Sequence, residues 1–458
     1  MAGTGISIRS YDQATRVTGA GFGWWRRFGY ALGNAGLMIG LSPITLMLLF
    51  YLTEVVGLRA GQAGMVIALP KMWDALLGPG IGGWVERLAA GMKQRTPIAL
   101  ISGAGFLAAL ILIFSLPQLQ SALSIQITVI ALLILLSVTE TAFTVSQFAL
   151  ATELSANENE LSGLLSLSGG VGQAFLVAGA VMAPVLVSWS GGGRSGYSVM
   201  AVQVAAIAAI AIGVFVATTA RVPVRRPPPA KAPLSLRASI RITASNRAFY
   251  FLMTGVLCLS AASAFIGSVL PFAARYVLEN GQHGLPMLLA ASGAGAVGGM
   301  SLAPWLVRRF GAGQSVRACT LAIAAMLSAL FPASYGPAWM NWIAIGGVGL
   351  AAGAATILLQ TIALELIEHE VGIATGFYLG ITVAGFKLGA SMGSLMAGGM
   401  LDLIGFAPGG GHQSALTLAG LRIGYTLVPL IPIAIGYQFL RRVTLSPSCG
   451  GAAGRPRG

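Results

Sequence analysis

Charge is scarce in this chain of 458 residues. Asp, Glu, Lys and Arg together make up 9%, against 56% hydrophobic residues, and the mean hydropathy is +0.81. Soluble globular domains carry about 25% charge. A chain so poor in charge cannot clothe a water-facing surface, so the composition points to an all-α integral membrane protein. Cysteine is also scarce. Cys258, Cys319 and Cys449 are too few and too scattered for a disulfide framework or a metal site. Two of them lie in or near apolar runs and read as small core residues. The three histidines, His283, His369 and His412, fall at predicted helix ends or in loops, without metal-ligand spacing. No Walker sequence, dinucleotide fingerprint or nucleophile elbow is present, which removes support for ATP-driven work, for enzymatic catalysis and for a bound cofactor. No small-residue cleavage site follows the first apolar run, so that run is expected to stay as a helix.

The charge that is present is mostly positive, with 27 basic residues against 13 acidic. It collects between apolar runs: Arg26-Arg27; Arg87, Lys93 and Arg95; Arg221, Arg225, Arg226 and Lys231; Arg308-Arg309; Arg441-Arg442. This is the positive-inside pattern, which places those segments on the cytoplasmic side. It reads as topology and attraction to anionic lipid, not as a nucleic-acid site.

A bilayer core needs about 20 apolar residues per helix. Such runs fall near 30–53, 61–85, 97–116, 124–151, 162–189, 197–218, 247–276, 283–307, 316–335, 338–367, 372–403 and 420–440, which makes twelve transmembrane helices. An even count puts both termini on one side, and the basic flanks make it the cytoplasm. Between the sixth and seventh runs, Arg221 to Pro233 is rich in proline and positive charge and reads as an extended linker. The expected organisation is a cytoplasmic segment over 1–28, a six-helix bundle over 29–219, a linker over 220–246, a second bundle over 247–442 and a cytoplasmic tail over 443–458. The halves resemble each other weakly. Gly83-Trp84-Val85-Glu86-Arg87 after helix two parallels Pro304-Trp305-Leu306-Val307-Arg308-Arg309 after helix eight. Ala151-Thr152-Glu153-Leu154 ends helix four as Ala363-Leu364-Glu365-Leu366 ends helix ten. Two parallel repeats around a central cavity match the major facilitator architecture. The 63 glycines, clustered at Gly169, Gly170 and Gly172, at Gly293, Gly295, Gly298 and Gly299, and at Gly389 and Gly393, allow close helix contact in a membrane.

Against that apolar background a few charges stand out. Asp74 interrupts the run Met65 to Pro79, and a carboxylate there costs roughly 2.5–3.5 kcal/mol on insertion scales. Lys387 in helix eleven is its natural counter-charge, because helices two and eleven meet across the cavity of a two-bundle transporter. The pair is either a static link between bundles or a site where a bound cation replaces the ammonium. Gly78 shares a helix face with Asp74. With no second carboxylate there, a proton fits better than Na⁺, which prefers several oxygen ligands. Glu140 and Thr144 share a face on helix four, with Thr141 and Ser146 nearby. Glu140 reads equally as a second proton or substrate site and as a side chain reaching for the interface. Glu153, Glu365, Glu368 and Glu370 fall at cytoplasmic helix ends, where they are expected to clasp Arg87, Arg95, Arg308 or Arg309.

The chain resembles the glycoside–pentoside–hexuronide:cation symporter family, typified by melibiose permease. The resemblance rests on Gly29-Tyr30-Ala31-Leu32-Gly33-Asn34 in helix one, Tyr51-Leu52-Thr53-Glu54-Val55-Val56-Gly57-Leu58 at its exit, Trp73-Asp74-Ala75 with Pro79, Gly82 and Glu86 in helix two, and Lys387-Leu388-Gly389 in helix eleven. It implies that Asp74 ligates the coupling ion and that Lys387 neighbours it. The family's second helix-two aspartate is Gly78 here. Its sugar-binding aspartates fall at Met38 and Thr144, and its stacking aromatic falls at Phe148. These departures argue against a melibiose-like substrate and leave a lysolipid-like amphiphile open. Glu86, Arg95 and Pro97 in the loop after helix two fit a cytoplasmic gate.

The expectation is a secondary transporter in the inner membrane, with no cofactor, coupled to H⁺ in preference to Na⁺. Tyr30, Asn34, Glu140, Thr144, Phe148 and Lys387 are expected to line the cavity. Glu86, Arg87, Arg95, Glu153, Arg308, Arg309 and Glu365 are expected to form the cytoplasmic gate. A small solute and the bilayer are the expected partners of a functional monomer. An exporter or uniporter of amphiphiles is the alternative.

Overall fold

The structure, a computed structural model, describes residues 23–90, 96–118, 121–155, 158–220, 247–277, 284–368, 375–409 and 412–443. Side chains are described up to Ala75 in the second helix and from Ile381 in the eleventh. The expected terminal segments and linker, together with Arg95, His283, His369 and Glu370, lie wholly or largely outside these ranges.

Helices form where the apolar runs predict them. α1 covers Trp24–Leu46 and continues through Leu48–Phe50 into a π-helical turn at Tyr51–Val55. α2 is Ala60–Ala90, α3 Thr96–Phe114, α4 Ala122–Leu154, α5 Glu158–Trp189 and α6 Gly193–Thr219. α7 is Arg247–Tyr276, α8 Gly284–Phe310, α9 Ala312–Ala333, α10 Ala338–Glu368 and α11 Thr375–Leu403. α12 is split into Ala415–Leu427 and Leu430–Leu440. Among the described residues, nine helices are long and apolar enough to cross a membrane, and ten if the bent α1 counts as one span. The other two are α2 and α11, which carry Asp74 and Lys387.

Three boundaries differ from the sequence expectation for identifiable reasons. α1 bends by 45° between Leu46 and Leu48. Pro43, one turn earlier, has no N–H to give, and proline is a common cause of kinks. α12 breaks around Pro429, which likewise has no N–H to give to the preceding turn and so interrupts the helical ladder. α2 runs on to Ala90, so Glu86 and Arg87 sit on its last turns and not in a loop. Two helix starts carry side-chain caps. Ser121 accepts from the Ser124 N–H, and Ser414 from the Thr417 N–H, each at 3.1 Å.

Packing repeats between the halves. α1 packs on α5 and α6, α2 on α4, and α3 on α4 and α6. α7 packs on α11 and α12, α8 on α10, and α9 on α10 and α12. Each of these contacts in the first half has its counterpart six helices later. The two halves meet chiefly where α2 packs on α11 and α5 on α8. The outward faces stay apolar: Leu123, Ile127, Ile210 and Ile343 are all more than half exposed. Water penalises such a surface and lipid does not.

Glycine sets how closely the helices approach. A Cβ on Gly299 of α8 would land on the Leu350 carbonyl of α10, and one on Gly295 would meet the Gly346 carbonyl. Gly353 of α10 abuts the Ala296 carbonyl in return. Gly389 and Gly393 of α11 sit against the Leu257 and Ala261 carbonyls of α7. This is backbone-to-backbone packing of the small-xxx-small kind. Gly169, Gly170 and Gly298 have open space where a side chain would go, so only part of each predicted cluster packs tightly. Gly299→Ala is therefore expected to cost about 1–3 kcal/mol through overpacking, while Gly298→Ala stays near neutral. Thermal unfolding of the two variants in detergent checks this.

Candidate functional site

α2 reaches α11 through small residues. A Cβ on Gly64 would stand 3.0 Å from the Ser394 carbonyl and 3.1 Å from Gly398 Cα. That close approach brings Asp74 and Lys387 together across the two halves. Lys387 Nζ contacts Asp74 Oδ2 directly as an ion pair. The other carboxylate oxygen, Oδ1, accepts from the Thr141 hydroxyl of α4 at 3.2 Å. Asp74 is 6% exposed and Lys387 31%. The aspartate is thus held on both oxygens in the interior, while the lysine stays partly exposed. Two further charges lie near. Lys71, one turn before Asp74, feels the charge of Glu140. Glu140, beside Thr141, feels Lys387, Asp74 and Lys71.

A cavity of about 80 Å³ on α1, α4 and α5 opens one turn along α4 from this cluster. Tyr30, Asn34, Thr144 and Phe148, all expected from the sequence, line it together with Gln147, Leu165, Ser168 and Gly169. Its walls are tied to one another. Tyr30 donates its hydroxyl to the Gln147 carbonyl at 2.9 Å, and the Gln147 amide donates to the Tyr30 carbonyl at 3.1 Å. The Asn34 amide donates to the Ser168 carbonyl at 2.9 Å, joining α1 to α5. The Phe148 ring is 56% exposed. No charged side chain lines this cavity among the described residues. The arrangement offers hydroxyls, amides and one open aromatic face. Glu140 and Lys387, expected on the same wall, belong instead to the charged cluster.

The two ends of the molecule differ. Where α1 and α7 finish, the halves are fastened together. Glu54 accepts from the Tyr276 hydroxyl at 2.8 Å and pairs with Arg275 at 3.4 Å. The Glu54 side chain is 1% exposed. The Arg275 guanidinium also lies 5.7 Å from the centre of the Phe50 ring, which packs on Phe272 with centroids 5.0 Å apart. The Gly409 N–H donates to the Thr53 carbonyl at 3.3 Å. At the opposite, arginine-rich end, Arg308 and Arg309 are exposed, and Glu153 and Glu365 are half-buried and engaged in interactions of their own. The side chains of Glu86 and Arg87, like Arg95, lie outside the described residues.

Sequence reasoning missed three things here. Thr141 was seen only as a neighbour of Glu140, although Asp74 lies one helix away in the packing. Lys71 went unweighed, although its spacing of three from Asp74 places the two on one face. Glu54 stands in the sequence only as part of a motif, and tertiary structure alone reveals its partners 221 and 222 positions further on.

The comparisons agree with this architecture. Residues 29–446 match the family described as MFS/sugar transport protein. YnaJ of Bacillus subtilis (strain 168), an uncharacterized symporter, is 29% identical over 160 residues, covering 33% of this chain and 34% of that protein. The isoprimeverose transporter of Lactiplantibacillus pentosus is 24% identical over 206 residues, covering 43% of this chain and 42% of that protein. The match thus spans about a third to two-fifths of these relatives. The solved nucleoside transporter NupG has a TM-score of 0.65 at 14% identity, over 91% of this chain and 98% of that one, which shows a shared fold. Because the family match runs over nearly the whole chain, from the first membrane helix to the last, this protein belongs to the MFS/sugar transport protein family, a family of membrane transporters and not of enzymes.

Proposed function

We propose that this protein is a secondary active transporter that works by alternating access and moves a small neutral solute together with H⁺. One observation carries the reading: a buried carboxylate of one half is held by an ammonium from the other half. Protonating Asp74 cancels the charge that keeps Lys387 in place. Ion binding is thereby joined to the contact between the halves, which is what coupling requires. One carboxylate and one threonine hydroxyl supply fewer oxygens than Na⁺ prefers, and Gly78 adds none.

The cavity supports the solute class. A neutral ring with hydroxyls on its edge and an apolar face suits hydroxyl and amide partners beside an open Phe148 ring. A glycoside meets that description, and the relative named for isoprimeverose points the same way. The arginine-rich end faces the cytoplasm by the positive-inside rule, in the inner membrane. The Glu54–Arg275–Tyr276 clasp then closes the outer end, and expected gate residues such as Arg308 and Glu365 close the inner end in the alternate state.

Proteoliposomes with a trapped pH indicator test the reading against a panel of glycosides, sugar acids, nucleosides and lysolipids. One glycoside is expected to drive proton uptake without Na⁺, and D74N is expected to reduce this flux to background. A lysolipid that moves without any pH change in wild type and D74N alike would sink the reading. Phe148→Ala is expected to weaken the active solute about fivefold, from loss of about 1 kcal/mol of ring contact. E54Q is expected to loosen the clasped end. A charge-assisted hydrogen bond is worth about 1.5–3 kcal/mol. A cysteine at Leu46, beside Gly267 where α1 meets α7, should then be alkylated about tenfold faster in a background without the native cysteines.

A further inference from the structure

The charged cluster contains more than the coupling pair needs. Lys71 and Asp74 on α2, Glu140 on α4 and Lys387 on α11 form two positive and two negative groups in the interior of an otherwise apolar bundle. Asp74 and Lys387 are in direct contact. Lys71 and Glu140 close no ion pair among the described residues and act on their neighbours at longer range. The groups that act on Glu140 can be named from each packed element. Lys71 and Asp74 face it from α2, and Lys387 from α11. α3 carries no charged residue, α5 carries acids only at its start, and on α1 the Tyr30 hydroxyl is engaged with the Gln147 carbonyl. Thr141 fixes the geometry: its hydroxyl holds Asp74, so the adjacent Glu140 projects from the same turn of α4.

A difficulty in the coupling scheme gives Glu140 a task. When Asp74 takes up a proton, Lys387 loses its counter-charge in a region of low dielectric. An ammonium left there unpaired costs several kcal/mol. We infer that Glu140 is the alternate counter-ion of Lys387: as Asp74 becomes a neutral carboxylic acid, the Lys387 ammonium passes to the Glu140 carboxylate. One proton is gained at Asp74, the cluster as a whole becomes more positive by one charge, and Lys387 moves between two acids of the same half. The contact between the halves is handed over and not lost, so the midplane can serve as a pivot while the ends open and close. Lys71 balances Glu140 while Lys387 holds Asp74, and shares Glu140 with Lys387 after the hand-over. This rests on the reading of Asp74 as the coupling-ion site.

A double-mutant cycle on the purified full-length protein, read as the thermal midpoint in detergent, tests the hand-over without any substrate. D74N imitates protonated Asp74. If Lys387 has then moved to Glu140, E140Q lowers the midpoint about 2–4 °C more in the D74N background than in wild type. This excess disappears when K387Q is also present. Equal losses in both backgrounds, or an excess that survives K387Q, overturn the inference. A second readout uses single variants only. The infrared carboxyl band that D74N removes is titrated with pH, and E140Q displaces its midpoint, because the acid that waits for Lys387 is gone. An unmoved midpoint overturns the hand-over. If the Asp74 band does not titrate in wild type, the proton-coupling reading fails, and the thermal cycle alone then decides the role of Glu140.

Discussion

An ammonium and a carboxylate held together away from bulk water are costly to bring in and costlier to separate. Removing two ions from water takes several kcal/mol each, and breaking such a pair by removing one partner leaves an uncompensated charge. Lys387 and Asp74 form this pair, and they come from different halves of the molecule. Everything near them is arranged to make the contact tolerable. Glycines let α2 and α11 approach, Thr141 occupies the second carboxylate oxygen, and Lys71 and Glu140 even out the local charge. Without the pair, the α2–α11 seam would be an ordinary small-residue helix contact with no means of sensing an ion.

The same seam explains how a rigid and a yielding part coexist. Within the second half, α8 and α10 are packed glycine to carbonyl, which leaves little room for sliding. α1 and α12, by contrast, are broken near prolines, and a broken helix can change its angle without unpacking its ends. The cavity lies on α1, α4 and α5, so its wall includes one of these bent helices. Tyr30 and Asn34 on that wall are therefore on the same helix as the clasp that Glu54 makes at the far end of α1.

Much of this was legible in the sequence because membrane spans obey a single strong rule. Twenty apolar residues bounded by arginines leave few alternatives, so the helix positions were recoverable within several residues. Asp74 and Lys387 were legible for the opposite reason: charge in hydrocarbon is so disfavoured that its presence needs a partner, and Lys387 was the one lysine deep in the runs of the second half. Four cavity residues followed from where a familiar motif places them. Glu140 was the instructive case. Spacing put it on a face with Thr144, but one helix face can border both a cavity and a charged cluster, and only packing decides which. The clasp was illegible because Glu54 and Arg275 lie at the ends of runs, where charge is unremarkable. Their partnership exists only once α1 and α7 are set side by side.

The Thr53 carbonyl is one of the last on α1, where a helix leaves its final C=O groups without partners of their own. It accepts the N–H of Gly409, from the segment between α11 and α12. Part of the closure at that end is therefore written in main chain and not in side chains. Substitutions at Glu54 or Arg275 can weaken the clasp but leave this link in place. Evolution is free to replace the charged clasp while the two halves still dock in the same register. What it is not free to change is the length of the segment leading to Gly409, because inserting or deleting a residue there would move the N–H away from the carbonyl that awaits it.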